Sequence, residues 1–150
     1  MQLTTKKHQI IKKLATTKVI NGDRDRIGQV ITNLLSNAMK YSPCDRKINV
    51  ITSVSKTNIT LCVKDFGIGI SKEKQHKVFD RFFRAEDAND TFGGLGLGLF
   101  ISSEIIKRHS GQIWVESIKG KGAKFCFTLP IKHIKKLNLQ TNILIEEKNE

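Results

Sequence analysis

The sequence predicts a mixed α/β domain, and three patterns in it predict this class. Residues 23–43 place apolar side chains at alternating steps of three and one, which is typical of an amphipathic helix. Residues 47–64 and 112–131 each hold two runs that alternate between apolar and polar residues around a short polar turn, as a β-hairpin does. Shorter helical patterns begin at Ser71 and near Gly98. Helices and strands therefore share one chain.

Length, charge and cysteine content limit the class further. At 150 residues the chain is expected to form one domain with a sufficient core. The net charge of +12 comes from scattered lysines without a motif that reads nucleic acid, so no nucleic-acid partner is expected. Cys44, Cys62 and Cys126 form no CxxC pair, and we expect buried thiols in a reducing compartment, with neither a disulfide framework nor a zinc site. No membrane span or signal segment is expected, which indicates a cytoplasmic chain.

The helix predicted over residues 23–43 has two faces. One is apolar and is expected to face the core through Ile27, Val30, Ile31, Leu34, Leu35, Ala38 and Met39. The other carries Asn33, Asn37 and Tyr41 at steps of four, with Lys40 beside them. Two interpretations of this polar stripe stay open: the side chains contact a ligand, or they are solvated.

Capping signals bound this helix, and strands are expected on either side of it. Asp23 is the expected N-cap, and Pro43 ends the pattern because the residue before a proline avoids the α region. Before the helix, residues 1–21 are expected to form two short strands around Ile10 and Val19. The hairpin over residues 47–64 follows it.

The second strand of that hairpin leads directly into DFGIGI, residues 65–70. Glycines two apart allow backbone conformations and close approaches that other residues forbid, and a carboxylate at a strand end is well placed for a binding site. Ser71 is the expected N-cap of a helix, SKEKQHKVFDRFF, whose Phe79, Phe82 and Phe83 are expected to anchor a core or a lid.

A polar loop over residues 84–92 is expected to lead into a cluster of four glycines, Gly93, Gly94, Gly96 and Gly98. A helix follows, and Gly111 is its expected stop. A glycine-rich entry to a helix presents backbone N–H groups and the positive end of the helix dipole. This arrangement predicts a phosphate site.

Four segments of the chain, NLLSNAMKYSP, DFGIGI, VFDRFFR and GGLGLGLFIS, stand in this order. Their order and spacing closely resemble the N box, first glycine box, F box and second glycine box of the catalytic ATP-binding domain of bacterial sensor histidine kinases, within the GHKL ATPase superfamily. The ending GKGAKFCFTLP is similar to the end of such domains. The resemblance implies a two-layer α/β sandwich, in which a mixed, mostly antiparallel sheet of about five strands is covered on one face by about three helices. It assigns residues 1–131 to the domain and leaves 132–150 as a tail, either helical or disordered.

The resemblance also implies a site for ATP and Mg²⁺. Asn37 is expected to ligate Mg²⁺ through its amide oxygen, assisted by Asn33. Asp65 is expected to accept a hydrogen bond from the adenine amino group, Tyr41 to flank the adenine, and Lys40 to meet phosphate charge. Further nucleotide contacts are expected from Gly67, Gly69, Ile70, Phe82, Gly94, Leu95, Gly96, Leu97 and Gly98.

The candidate catalytic residues are Asn37, Arg81 and Arg84, and two roles stay open for the arginines. Either could stabilise the transferred γ-phosphoryl group, or both could pair with neighbouring carboxylates on a solvated surface. The loop of residues 84–95 is expected to act as a lid over the nucleotide.

The chain departs from the family pattern at two points. Leu95 stands where a small hydroxyl residue is usual, so one phosphate contact is expected to be lost. None of the four histidines lies in the context of a phosphoacceptor, so the chain is expected to phosphorylate a histidine on a separate dimerisation domain. A response regulator would then receive the phosphoryl group, and the complete kinase would be a phosphoprotein. The chain is expected to be cytoplasmic even where that kinase is membrane anchored.

Three alternatives stay open. A hydrolase resembling DNA gyrase or the mismatch-repair ATPases needs a carboxylate one helical turn before the Mg²⁺ ligand, where this chain has Asn33. An anti-sigma-type serine kinase consists of one such domain of about this length. A non-catalytic module that binds ATP or nucleic acid would use the basic surface.

Overall fold

A computed structural model describes residues 8–15, 18–42, 47–84 and 95–131. The elements in these ranges are β1 (Gln9–Lys13), α1 (Arg24–Tyr41), β2 (Lys47–Val54), β3 (Asn58–Lys64), α2 (Lys72–Gln75), α3 (Gly98–Arg108), β4 (Gln112–Ser117) and β5 (Ala123–Pro130). The expected glycines at 93 and 94, most of the expected lid and the tail lie outside the described residues.

The five strands form one sheet in the order β1-β2-β3-β5-β4. Both predicted hairpins, β2–β3 and β4–β5, are confirmed, and they join in the centre of the sheet through antiparallel pairing of β3 with β5. β1 lies parallel to β2 at one edge. The sheet is therefore mixed and mostly antiparallel, as predicted.

The N-terminal segment forms one strand where two were expected. β1 holds the sheet edge, but residues 18–20 have no regular structure. Ile20 packs against the core and Val19 is exposed. The expectation of a second strand is wrong because the chain leaves the sheet here to reach the start of α1.

α1 confirms the prediction for the longest helix. The Asp23 side chain caps it by accepting hydrogen bonds from the backbone N–H groups of Asp25 and Arg26, at 3.0 and 3.1 Å. Its buried residues come from the predicted apolar face and are Val30, Leu34 and Ala38. They pack with the inward-facing residues of the sheet, which include Ile48, Val63, Phe125 and Phe127. Helices and sheet thus form the expected two-layer sandwich.

The helix expected after Ser71 is much shorter than predicted. Only Lys72–Gln75 are helical, and Ser71 makes no side-chain cap hydrogen bond. Turns follow, with hydrogen bonds between residues three apart, such as that from the N–H of Asp80 to the carbonyl of Lys77 at 2.9 Å. At the end of these turns Phe82 adopts a φ of 63° and donates its N–H to the carbonyl of Gly96 at 3.0 Å. The phenylalanines of this segment lie in different environments. The ring of Phe79 packs edge-on against that of Phe125, with the ring centroids 6.2 Å apart, whereas the side chain of Phe82 is exposed.

α3 ends in a Schellman motif. The Gly111 N–H donates to the carbonyl of Ile106 at 2.9 Å, and the Ser110 N–H donates to that of Lys107 at 3.0 Å. The left-handed residue is Ser110, with a φ of 59°, and not the predicted stop, Gly111. Glycine is needed at position 111 for a different reason: a Cβ there would collide with the carbonyl of Thr128.

Cys62 and Cys126 lie directly opposite each other on β3 and β5, and the structure joins them in a disulfide. The expectation of unpaired thiols is therefore wrong for these two residues. The cysteines are 64 residues apart in the sequence, and only the pairing of β3 with β5 brings their Cα atoms to 4.1 Å.

Among the described residues, no helix is long and apolar enough to cross a membrane.

Candidate functional site

A cavity of about 320 Å³ opens between the C-terminal half of α1, the start of α3, the end of β3 and the start of β5. Twelve of the residues predicted to form the site line it: Asn33, Asn37, Lys40, Tyr41, Asp65, Gly69, Ile70, Arg84, Leu95, Gly96, Leu97 and Gly98. Segments that are distant in the sequence thus meet at one place.

Some predicted residues lie elsewhere, and some lining residues were not predicted. Gly67, Arg81 and Phe82 do not line the cavity, and Gly94 lies outside the described residues. The lining residues that sequence reasoning missed are Ser36, Ile68, Val78, Phe83, Leu99, Ala123 and Phe125. Ser36 could have been found, because it follows Asn33 by three residues on the same helical stripe. The apolar ones carry no local signal that separates a cavity wall from a core.

The polar stripe of α1 forms one wall of the cavity, as the ligand interpretation requires. Asn33, Asn37 and Tyr41 project from successive turns, with Lys40 beside them. The Asn33 side chain is not merely solvated, because its amide nitrogen donates to the carbonyl of Gly98 at 3.2 Å and to Ser102 Oγ at 3.1 Å. This stripe is therefore also part of the contact between α1 and α3.

Asp65 lies at the end of β3 and is only 4% exposed. Its Oδ1 atom accepts hydrogen bonds from the N–H of Gly67 at 2.8 Å and from that of Ala123 at 3.3 Å. Burial raises the pKa of this carboxyl, while the hydrogen bonds from Gly67 and Ala123 act in the opposite direction. Both bonds converge on Oδ1, so Oδ2 is the oxygen that can accept a hydrogen bond from a ligand.

The loop after Asp65 is held by backbone packing. A Cβ at Gly67 would collide with the carbonyl of Tyr41 at the end of α1. Gly69 has a φ of 66°, and a Cβ there would collide with the carbonyl of Ile118. These two glycines therefore let the loop pass between α1 and the β4–β5 turn, which fixes Asp65 relative to the stripe on α1.

The N-terminus of α3 faces the cavity through Leu97, Gly98 and Leu99. Leu97 provides no side-chain cap, so the first-turn N–H groups need another acceptor. These groups lie at the positive end of the helix dipole, which favours an anion. Just before the helix, Gly96 has a φ of 69°, and a Cβ there would collide with the backbone of Phe82 and Phe83.

The two arginines of the F box occupy different positions. Arg84 lines the cavity. The guanidinium of Arg81 lies over the ring of Phe100 at 5.2 Å and that of Phe82 at 5.7 Å, beside the first turn of α3. Arg81 therefore lies near the start of α3 without lining the cavity.

A two-layer sandwich whose cavity joins a buried carboxylate, an amide-bearing helix and a glycine-initiated helix defines the ATP-binding domains of the GHKL class. Residues 22–133 match the family described as histidine kinase-, DNA gyrase B- and HSP90-like ATPases. The chain belongs to this family. Its similarity to named proteins points to one branch, the sensor histidine kinases.

The named relatives are kinases of this kind. The sensor histidine kinase WalK of Bacillus subtilis is 46% identical over 113 residues, which are 73% of this chain and 18% of that protein. WalK of Staphylococcus saprophyticus is 38% identical over 133 residues, covering 86% of this chain and 22% of that protein. The chain thus spans about a fifth of the length of these relatives.

Solved structures show the same architecture. The catalytic domain of histidine kinase ThkA superposes with a TM-score of 0.72 at 30% identity, covering 83% of this chain and 80% of that one. The mycobacterial sensor histidine kinase MprB gives a TM-score of 0.74 at 28% identity, covering 83% of each chain. This chain therefore has the fold of a histidine kinase catalytic domain, and the family uses ATP.

Proposed function

We propose that this domain binds Mg²⁺–ATP in the cavity and donates the γ-phosphoryl group to a histidine on a separate dimerisation domain, as part of a cytoplasmic two-component system. One observation carries the proposal: a buried carboxylate, the stripe on α1 and the start of α3 converge on a single cavity. A response regulator would receive the phosphoryl group from that histidine.

Base selection rests on Asp65. Its Oδ2 accepts a hydrogen bond from the exocyclic amino group of adenine, because Oδ1 already serves the backbone of Gly67 and Ala123. A guanine would turn a carbonyl oxygen toward the same carboxylate and be repelled. Apolar residues around the carboxylate, among them Ile70 and Val78, cover the faces of the ring, and Tyr41 flanks it.

The phosphate end of the cavity suits a hard cation and an anion together. Among the described lining residues there is no cysteine or histidine, and Asn37 and Asn33 offer amide oxygens, which Mg²⁺ prefers. When bound, Mg²⁺ would neutralise part of the negative charge of the phosphates. Lys40, Arg84 and the first-turn N–H groups of α3 hold the phosphates from the protein side.

In the transfer step the bond between the γ-phosphorus and its bridging oxygen breaks, and a phosphorus–nitrogen bond forms on the acceptor imidazole. ADP leaves with the electron pair of the broken bond, and the acceptor nitrogen loses its proton to a base on the dimerisation domain. Arg84, and Arg81 beside the start of α3, stabilise the charge on the moving phosphoryl group.

Mixing the domain with a histidine-bearing dimerisation domain of a WalK-type kinase and γ-labelled ATP tests the proposal. Label should appear on the acceptor histidine, and replacing that histidine by glutamine should remove it. Lys40→Ala should lower labelling, whereas the control Lys107→Ala, which removes the same charge from an exposed position on α3, should not. Binding of ATP without any labelled histidine would overturn the transfer step, and absence of ATP binding would overturn the site.

A further inference from the structure

Ser102 is a polar residue in the interior of α3 that the proposed ATP chemistry does not use. It is fully buried, with 0% of its surface exposed. Burying a hydroxyl is costly unless it is hydrogen bonded. Ser102 Oγ donates to the carbonyl of Gly98 at 2.9 Å and accepts from the amide nitrogen of Asn33 at 3.1 Å. The hydroxyl therefore bridges the first turn of α3 and the middle of α1.

A third hydrogen bond closes this link. The Asn33 amide nitrogen also donates to the carbonyl of Gly98, at 3.2 Å. A carbonyl only accepts, so the nitrogen of the amide, and not its oxygen, must face α3. The three bonds among Asn33, Gly98 and Ser102 thus fix which way the amide is turned. The Asn33 oxygen is then the atom that the amide can offer to the cavity it lines.

The position of this link connects it to the site. Asn33 precedes Asn37 by one helical turn on the same stripe. Gly98 is the first residue of α3 and lines the cavity together with Leu97 and Leu99. The link therefore sets the separation between the start of α3 and Asn37.

We propose that Ser102 is a positioning residue for the phosphate half of the site. It orients the Asn33 amide and holds the start of α3 in register with α1, without touching nucleotide or metal. The inference rests on the proposed ATP site, and it deepens that proposal by naming a residue that preorganises it.

Ser102→Ala tests the inference, because it removes the hydroxyl and changes the volume very little. Affinity for Mg²⁺–ATP should fall about fivefold or more, the equivalent of one lost hydrogen bond. Affinity for adenosine should stay unchanged, because adenosine lacks phosphates and depends on the Asp65 side of the cavity. Ser102→Cys replaces the hydroxyl by a slightly larger thiol, a weak donor and acceptor that weakens both hydrogen bonds, so it should also lower the affinity and serves if the alanine variant does not fold.

Two controls separate positioning from general packing. Ser103→Ala removes a hydroxyl from the adjacent residue, which is also buried but takes no part in the three bonds, and it should leave the ratio of the two affinities unchanged. In a double-mutant cycle, adding Ser102→Ala to Asn33→Ala should cost nothing further, because Ser102 acts through Asn33.

The outcomes are distinct. Wild-type chain that fails to bind ATP would overturn the proposed function itself. If the wild-type chain binds ATP, two results would overturn the role of Ser102 alone. One is an unchanged affinity of the Ser102→Ala variant for Mg²⁺–ATP, and the other is additive losses in the double-mutant cycle. An equal loss of affinity for adenosine would also overturn it, because that result indicates a general change in the fold.

Discussion

Asp65 combines two requirements that oppose each other. In the proposed role it is buried to recognise a base in a dry cavity, yet burial disfavours the carboxylate form that accepts hydrogen bonds. The N–H groups of Gly67 and Ala123 offset part of this cost by donating to Oδ1. The remaining imbalance is a raised pKa, and two measurements follow from it.

Asp65→Asn should lower affinity for ATP and adenosine about tenfold to hundredfold, because its only oxygen stays with Gly67 and Ala123 and its NH2 group, which donates, then faces the adenine amino group in place of Oδ2. The variant should remain at least as stable as wild type at neutral pH. Its amide oxygen can still accept from Gly67 and Ala123, and it carries no buried charge. Isothermal titration and urea unfolding measure the two effects. Loss of stability together with binding would contradict a direct role in recognition.

The affinity for adenosine should fall in acid at a pH above the usual range for an aspartate. Binding needs the ionised form of Asp65, whose pKa is raised in the free domain, so affinity is present above that pKa and is lost as the pH falls through it. The stability of the fold depends on pH in the opposite sense. The contribution of Asp65 to the free energy of unfolding is full below the pKa that it has in the unfolded chain, and it declines as the pH rises through the raised pKa of the folded chain. Titration of adenosine avoids the ionisation of ATP phosphates. Constant affinity down to acid unfolding would refute the prediction.

At the scale of elements, hydrogen bonds of side chains join α1 and α3 near both ends of the helix pair, in addition to the apolar contacts in the core. Near the cavity the link is that of Asn33, Gly98 and Ser102. At the opposite end His109, the C-cap of α3, accepts from the N–H of Asp23 through Nε2 at 3.0 Å. Its Nδ1 lies 2.8 Å from the carbonyl of Ile105 and must donate to it. His109 therefore has a structural role at the end of α3.

His109→Ala should destabilise the domain by about 1 to 2 kcal/mol, because two hydrogen bonds are lost. Affinity for ATP should not change, since the cavity lies at the other end of this helix pair. The matched control is His76→Ala, at the C-cap of α2, which should cost less. Urea unfolding of the three proteins provides the comparison. An unchanged midpoint for the His109 variant would show that this link carries no stability.

The disulfide between Cys62 and Cys126 ties the two central strands together three residues away from Asp65. Chain denatured without reductant should show one titratable thiol of its three, and chain denatured with reductant should show all three. Breaking the bond should cost about 2 to 4 kcal/mol, because it closes a long loop in the unfolded chain. Cys44→Ser should leave that difference in stability intact. Three free thiols without reductant would disprove the pairing.

At the scale of the whole molecule, the cavity is assembled from α1, the end of β3, the start of α3 and β5, and no single element contains a complete site. The position one turn before Asn37 is occupied by Asn33, whose amide nitrogen is already bound to α3. The domain therefore has an amide without useful basicity where the hydrolases of the superfamily need a carboxylate.

ATP hydrolysis by the isolated domain should consequently be far slower than about 10 per second, the usual range for enzymes. Release of phosphate, measured with the purified domain, checks this rate. Asn37→Ala provides the control, because activity that survives this change belongs to a contaminant. Turnover near 10 per second that Asn37→Ala removes would favour the hydrolase alternative over phosphoryl transfer.

Local patterns were enough to predict most of the elements. The helix around Val30 and Leu34 follows from a spacing of three and four residues, and both hairpins follow from alternation around short turns. The polar stripe on α1 and the carboxylate after β3 were predicted for the same reason, since periodicity and turn chemistry act over a few residues. The helix predicted after Ser71 is wrong beyond Gln75, and at the end of this segment Phe82 is bound to a distant carbonyl, that of Gly96, which no local pattern indicates.

By itself the sequence determined the amphipathic faces, the turns, the residue types of the site and the family to which the chain belongs. Only the tertiary structure decided that Cys126 pairs with Cys62 and that Asn33 is hydrogen bonded to Ser102. It also decided that the carbonyl of Tyr41 leaves no room for a side chain at Gly67. The physical reason is range: propensity and periodicity act between neighbours in the sequence. Hydrogen bonds, steric exclusion and burial act between atoms that only the folded chain brings together.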